Sequence, residues 1–537
     1  MIRKIFTLLL LLISINSLAQ QDAWVYLTDK VNVQDALNNP ITILTQKAID
    51  RKLQHNIPID ESDVPVNEAY ITQLKQQTGI TVLAKSKWFN AVHVRGTETD
   101  INALSSLSFV DSIDFADKSL NSMSRSASQL DKFEIEETLV TFNYGSTQNQ
   151  VEMISADDLH LDDFTGEGIT IAVMDSGFPN VNTMGAFQRL RDNNDLLDGY
   201  DFVDRTSNVY AFTGSSHGTR VLSDMAAFIQ DQFVGTAPDA SYYLFRTEDV
   251  ASENPVEESY WVEAAERADS LGVDMINTSL GYRVYDNPSY DYTPADMDGQ
   301  TAFITRGASR AVQKGILVVT SAGNAGAIDW QTVGAPADSP DVLSVGAVDE
   351  NGNYASFSST GNFAQPTQKP DVVARGQSAF VVSELNTVTQ NNGTSFSSPI
   401  LCGGIASLWQ ALPDASPTQM MQFVRESASQ FNAPDNFLGH GIPNLALARS
   451  IGLSVLENQI TEFGVFPNPA SDQIEIVLPG GIDTTQITIY NQLGQRVLKA
   501  NLTRNNTQVN LSNMASGIYL LRVESQVRSK TFKLIKS

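Results

Sequence analysis

At 537 residues the chain exceeds what one hydrophobic core organises, and about 100–200 residues per domain implies several units. Its 61 acidic and 35 basic residues give a net charge of −26, which excludes the basic patches that nucleic acid and anionic membrane surfaces require. A single cysteine, Cys402, excludes an internal disulfide, so a secreted form would rely on core size or bound ions.

Arg3 and Lys4 precede an apolar run over residues 5–15, and Ser17-Leu18-Ala19 then supplies small residues. This is the pattern of a signal peptide over residues 1–19, cleaved after Ala19; a membrane anchor is the alternative, but the run is short for a bilayer. No later stretch is long and apolar enough for a transmembrane helix.

Residues 20–117 read as a small α+β unit. Strands are expected at 24–27, 80–84 and 91–94, and helices at 48–54, 68–77 and 101–107. His55 and His93 lack acidic or cysteine neighbours at ligand spacing and read as surface or packing residues. Residues 118–150 turn rich in Ser, Asn, Gln and Glu and read as a linker, most exposed at 122–128 (SMSRSAS).

Over residues 151–453, short apolar strands (169–174, 242–245, 275–277, 316–320, 342–348) alternate with amphipathic helices (218–228, 257–271, 307–314). Continuous apolar strands with helical crossovers mean an α/β unit whose parallel sheet is buried on both faces. Residues 454–537 break into seven short runs separated by turns, an all-β sandwich without His or Cys.

Four stretches of the central unit carry groups suited to one chemistry. Asp175 ends a buried strand, where open α/β sheets place their sites. His217 opens a helix, Asn324 follows a strand in a glycine-rich turn, and Ser395 stands at the mouth of an apolar helix. Pro399 is expected in that helix's first turn, where a missing N–H is harmless. A serine nucleophile needs a base, which His217 supplies; His217 needs an orienting acid, which Asp175 supplies. A tetrahedral oxyanion needs donors, and the Asn324 amide and Ser395 backbone N–H are available. Alone, each stretch has a bland reading as a turn, a cap or a left-handed backbone position. His160 and His440 have no such setting and read as structural, and Cys402 as a packing thiol.

The ordered set resembles the subtilisin-like serine proteases, the subtilases. The likeness is carried by 173–177 (VMDSG), 217–219 (HGT), 235–238 (GTAP), 276–281 (INTSLG), 316–326 (ILVVTSAGNAG), 355–361 (ASFSSTG), 369–374 (KPDVVA) and 393–399 (GTSFSSP). It implies a subtilisin-like parallel-sheet catalytic domain with Asp175, His217 and Ser395 as triad and Asn324 as oxyanion donor. Ser279, Leu280 and Gly281 would face Ser321 and Gly323 as walls of the pocket for the residue before the cut bond. The sequence departs from the family at Arg220, Phe396, Ser397, Ile400 and Arg375, which touches substrate preference rather than the triad. Residues 20–117, through PIDESDVPV and SKWFNAVHV, resemble the propeptide of secreted subtilases, implying a folding aid and cleft inhibitor. Residues 454–537, through VFPNPAS, IYNQLGQRV and MASGIYLLRV, resemble the sorting domain of the type IX (Por) secretion system; a generic binding module is the alternative.

A segment rich in Tyr and Asp (Tyr282, Tyr285, Asp286, Tyr290, Asp291, Tyr292, Asp296, Asp298) could line an extended cleft or hold calcium, against a solvated loop. Asp192, Asp195 and Asp198 read as a polar loop. No cofactor is required and no metal ligand set is assigned; calcium as a structural ion is the one metal entertained. The sequence thus predicts a secreted or surface-exported serine endopeptidase, made as a preproprotein, acting on proteins or peptides. The rival is an adhesin or binding protein with an inert protease-like domain.

Overall fold

The computed structural model describes residues 20–121, 142–459, 463–479, 482, 484–504, 506–525 and 529–537. The expected signal peptide and the 122–128 stretch lie outside these residues.

The N-terminal sheet is antiparallel in the order β2-β3-β1-β4, with β1 (Gln20–Leu27), β2 (Thr81–Ser86), β3 (Ala91–Thr97) and β4 (Val110–Phe115). Between β1 and β2 lie helix α1 (Gln46–Gln54), capped by the Thr45 side chain, and helix α2 (Glu68–Lys75), capped by the Asn67 side chain. Strand alternation sorts the sheet into two faces. Ala23, Val25, Leu27, Val92 and Val94 enter one core with Ile71, Leu74 and Ile101. Asp22, Trp24 and His93 take the other parity and meet the central unit. There the Trp24 indole donates to Ser259 Oγ at 2.9 Å and stacks on Phe303 at 4.7 Å. His93 lies between Ser259 Oγ and Asp22 Oδ1, each at 2.8 Å. Its acidic partner comes from the neighbouring strand, where β1 and β3 pair Trp24 with His93, so spacing along one segment does not reveal it. The strand at β4 was absent from the sequence reading; its half-exposed pattern lacks a continuous apolar run.

The central sheet has seven strands, all parallel: β5 (Thr170–Asp175), β6 (Leu196–Asp201), β7 (Ser241–Arg246), β8 (Met275–Thr278), β9 (Leu317–Ser321), β10 (Leu343–Val348) and β11 (Val372–Arg375). Their order is β11-β10-β9-β8-β5-β7-β6. The chain therefore builds one way from β5 and then reverses to build the other way from β8. Such a reversal opens a crevice at the carboxyl ends of the central strands. The Asp192–Asp198 region is not a plain polar loop: residues 196–201 form the edge strand β6. Only Gly199 and Asp201 of that strand are buried, so no apolar run marks it. Asp201 fixes it by pairing with buried Arg246 on β7 at 2.8 Å.

The crossover helices include α3 (His217–Ala226), α4 (Val256–Leu271), α5 (Phe303–Gln313) and α6 (Thr394–Ala411). Helix α4 stops at Gly272, whose φ of 82° is left-handed and whose missing Cβ leaves room for the backbone of α1 at Ala48. Helix α6 is buried on every side through Trp409, the condition of a helix running through a core. Cys402 is fully buried in it, and burial pushes its thiol up, as a packing role requires.

Residues 450–537 form a separate compact unit. A three-stranded and a four-stranded antiparallel sheet share a core of Ile474, Ile476, Ile487, Ile489, Leu521, Val523 and Leu534. No helix among the described residues is long and apolar enough to cross a membrane.

Candidate active site

Asp175 is the last residue of β5 and is fully buried. Its Oδ1 accepts from the Ser176 N–H at 2.7 Å and the Ser176 hydroxyl at 3.2 Å, while Ser176 Oγ is 2.8 Å from Ser215 Oγ. These donors fix the carboxylate before any imidazole meets it. His217 is the first residue of α3, and its Nδ1 lies 2.8 Å from Asp175 Oδ1 and 3.0 Å from Oδ2. A carboxylate can only accept, so Nδ1 carries the proton and Nε2 is left as the acceptor. Burial opposes a charge on this ring, but the Asp175 charge and hydrogen bond outweigh it and raise the His217 pKa above its ordinary value. Arg220 pulls the other way, one turn along α3, and is occupied by Glu384 at 2.9 Å.

Ser395 is the second residue of α6. In a first turn its backbone N–H has no carbonyl four residues back to bond, so it is free for another acceptor. Its hydroxyl donates to the Ser279 carbonyl at 3.4 Å, at the long limit of a hydrogen bond. The expected place of Pro399 in the first turn is corrected here. Helix α6 begins at Thr394, which puts Pro399 one turn inside. A proline there withholds the N–H that would bond the carbonyl four residues earlier, and that carbonyl belongs to Ser395. The Ser279 hydroxyl supplies the missing donor at 2.9 Å. Next to it, Ser398 Oγ donates to Asn277 Oδ1 at 3.0 Å, tying the helix to the end of β8 a second time.

Asn324 stands exposed three residues after β9. Its Oδ1 accepts from the Thr394 N–H at 2.9 Å and the Thr394 hydroxyl at 3.1 Å. A backbone N–H can only donate, so the amide oxygen belongs on that side and Nδ2 remains a free donor. Thr394 Oγ1 in turn accepts from the Gly323 N–H at 3.1 Å, and Gly323 turns the chain with a left-handed φ of 103°.

Ser279, Leu280 and Gly281 on one side and Ser321, Ala322 and Gly323 on the other enclose a cavity of about 210 Å³ with Ser395 and Asn324 on its lining. The six sequence-predicted wall and oxyanion positions thus line one space with Ser395. Thr332, Gly334, Ser359 and Arg283 also line it and were not singled out in the sequence. The place of Thr394 before Ser395 marks a tight helix entry in the sequence, but nothing there shows its bond to Asn324. Phe396 is 4% exposed, with its ring centroid 5.8 Å from that of His217.

Tyr285, Tyr290 and Tyr292 line a larger cavity of about 510 Å³, together with Trp24 and Phe115 of the N-terminal sheet. The carboxylates of this segment do not converge. Asp286 accepts from the Glu253 N–H, Asp291 from the Tyr285 N–H, and Asp296 from Thr293 while pairing with Lys118. Among the described residues no group of three or more His, Cys, Asp or Glu side chains could hold a metal ion. His160 is buried between the Tyr144 hydroxyl and the Thr236 carbonyl at 2.9 and 3.0 Å, a structural setting.

Three family models match the chain: a Peptidase S8 propeptide domain of Bacteroidota over residues 22–132, the Subtilase family over 166–441, and a secretion system C-terminal sorting domain over 464–537. Subtilisin DY of Bacillus licheniformis is 32% identical over 301 residues, covering 56% of this chain and 97% of its own. Subtilisin E of Bacillus subtilis (strain 168) is 32% identical over 321 residues, covering 58% and 74%. Among solved structures, MycP1 from Mycobacterium smegmatis matches at 22% identity with a TM-score of 0.45, over 59% of this chain and 88% of its own. The sorting domain implies secretion or attachment at the cell surface. A parallel sheet of seven strands, a propeptide sheet before it and a family model covering residues 166–441 lead to one conclusion: this chain is a serine peptidase of the subtilase family.

Proposed function

We propose that the protein is an endopeptidase of proteins or peptides that works through a triad of Asp175, His217 and Ser395 and an acyl-enzyme intermediate. The observation that carries this reading is the His217 Nδ1 bond to a buried, pre-fixed Asp175 at 2.8 Å; the Phe396 ring, next to Ser395 in the chain, lies 5.8 Å from the His217 ring, and Ser395 and Asn324 share a cavity. With substrate bound, Ser395 Oγ leaves the long contact with Ser279 and gives its proton to His217 Nε2 as it attacks the peptide carbonyl carbon. The C–O bond forms while the carbonyl π pair moves onto oxygen, where Asn324 Nδ2 and the Ser395 N–H receive it. The oxyanion collapses, His217 protonates the leaving amine, and a water deprotonated by His217 then hydrolyses the ester. Asp175 holds the ring in one tautomer and stabilises its charged form.

The segment 20–117 would act as an inhibitor of the cleft until released, a role supported by its buried contacts with α4 and α5. The segment 454–537 would serve the type IX machinery and be dispensable for the chemistry. Labelling by a fluorophosphonate at neutral pH, with the propeptide removed, tests the reading. It should occur in the wild-type protein and vanish in Ser395→Ala; a processed, folded protein that takes no label overturns it.

A further inference from the structure

Of the residues lining the cavity beside Ser395, only Arg283 has an ionisable side chain. The others are small or hydroxylic, apart from Leu280 and Asn324. Arg283 is half-buried, two residues beyond the Gly281 wall, and its guanidinium carbon lies 5.9 Å from the Trp330 ring centroid. Trp330 precedes Thr332 by two residues, and Thr332 lines the same cavity. Among the described residues the Arg283 guanidinium makes no ion pair within 4.0 Å and no hydrogen bond. Glu253 senses its charge without reaching it: burial and Asp286 push the Glu253 carboxyl up, and Arg283 offsets them only in part. Arg220 and Arg246, by contrast, sit on Glu384 and Asp201 at 2.9 and 2.8 Å.

The cavity of about 210 Å³ is smaller than the roughly 300–1,000 Å³ of small-molecule sites, and fits one side chain. Gly334 lines it without a side chain, and a Cβ there would stand 3.3 Å from the Tyr282 carbonyl. A partly desolvated cation with unused donors, and no carboxylate of its own, favours an anionic occupant with a planar pair of oxygens. An apolar side chain would leave that cation covered and unpaired, which is the costly arrangement.

We propose that this cavity accepts Glu or Asp as the residue before the cut bond, with Arg283 pairing its carboxylate. The proposal rests on the hydrolytic reading above and assigns its substrate class. Arg283 is then the residue that sets specificity.

The test uses the processed enzyme and fluorogenic peptides identical except at the residue before the cut bond: Glu, Gln, Leu or Lys. Glu is expected to exceed its neutral isostere Gln by about tenfold or more in kcat/KM, the worth of one charge-assisted contact. Raising salt from about 0.05 M to about 1 M should shrink that ratio. In Arg283→Gln the ratio should fall to near unity, and Arg283→Glu should turn the preference to Lys. A wild-type Glu-to-Gln ratio near one overturns the proposal even if both variants fail to fold, as does an unchanged ratio in Arg283→Gln. Cleavage of the Leu peptide above all others sinks this inference alone. Failure to cleave any peptide and to take the fluorophosphonate sinks the hydrolytic reading, and this inference with it.

Discussion

Helix α1 of the propeptide meets two carboxylates of the catalytic domain, Asp269 and Asp274, whose ion pairs differ widely in burial, and their contrast yields a quantitative prediction. Arg51 Nη2 and Lys52 Nζ lie 2.5 and 2.9 Å from Asp269 Oδ1, with side-chain exposures of 3%, 1% and 0%. Lys87 approaches the other oxygen at 3.6 Å. One turn before Arg51, Lys47 reaches Asp274 at 2.7 Å, but these side chains are 43% and 17% exposed. Removing one partner of a buried ion group costs about 3–5 kcal/mol where the other charges stay buried unpaired; Lys52 keeps Asp63 at 3.1 Å, which places the loss of Asp269 toward the lower end of that range. An exposed pair is worth about 0–1 kcal/mol. At about 1.4 kcal/mol per factor of ten, Asp269→Asn should weaken propeptide binding by on the order of 10²–10³-fold, and Asp274→Asn by less than about fivefold.

The assay is inhibition of the mature wild-type, Asp269→Asn and Asp274→Asn enzymes by one preparation of the propeptide segment. Because the propeptide is the same in all three titrations, its own folding cancels from the ratios. The cations facing the Asp269 carboxylate belong to the propeptide, so the substitution removes none of the catalytic domain's own ion pairs to that carboxylate among the described residues. Burial opposes the charge of Asp269, but Lys52, Lys87 and Arg51 outweigh it and hold its carboxyl below the usual range. A depressed pKa contributes stability above the free value of about 3.9 that is lost only as pH falls through the bound value. The Asp269→Asn effect should therefore persist from about pH 8 to about pH 5. Inhibition constants for Asp269→Asn and Asp274→Asn within fivefold of each other would refute the reasoning.

Three further outcomes follow from the site. Asn324→Ala should lower kcat by on the order of 10²–10³-fold with little change in KM, the general effect of deleting one oxyanion donor; unchanged kcat in steady-state assays would remove Asn324 from that role. Since Asp175 raises the His217 pKa, the acid limb of kcat/KM should lie above the free value of about 6.5, and Asp175→Asn should move it down while costing on the order of 10⁴ in rate. The same raised pKa gives the folded state stability that is full below about pH 6.5 and fades as pH rises through the bound value, visible as a pH-dependent gap in thermal midpoint between wild type and Asp175→Asn. Ser279→Ala should destabilise by about 1–3 kcal/mol because it orphans the Ser395 carbonyl, and adding Pro399→Ala, which restores an N–H, should recover part of that loss in denaturant melts.

How much of this was legible in the sequence depends on where each property resides. Strands β5, β8, β9 and β10 were readable to within a residue or two because burial on both faces writes a continuous apolar run. Strand β6 was not, since it lies at the sheet edge and is held by Asp201 on Arg246 rather than by apolar residues. Asp175, His217, Asn324 and Ser395 were readable because each sits at the end of an element whose local pattern survives alone. The partners that fix them were not: Ser279 and the Ser395 carbonyl are 116 positions apart, and Thr394 and Asn324 are 70 apart. His93 looked partnerless for the same reason, its carboxylate lying on a strand 71 positions away.

Ser395 shows what bonds between distant parts of the chain add. The helix mouth frees its N–H, which the sequence suggested; the proline one turn in frees its carbonyl, which the sequence obscured. Ser279 closes that second vacancy at 2.9 Å while also forming the wall of the side-chain cavity. That wall and Ser395 are thereby joined by one hydrogen bond rather than merely adjacent. Arg283 lies four positions further along the segment that begins at Ser279. A side chain held by Arg283 is thus referred, through Ser279, to the backbone of the residue that would attack. Productive alignment of a scissile bond needs placement of the reacting atoms to within a fraction of an ångström. On the proposed reading, a carboxylate anchored at one end of that segment and Ser395 tied to the other would couple substrate choice to rate.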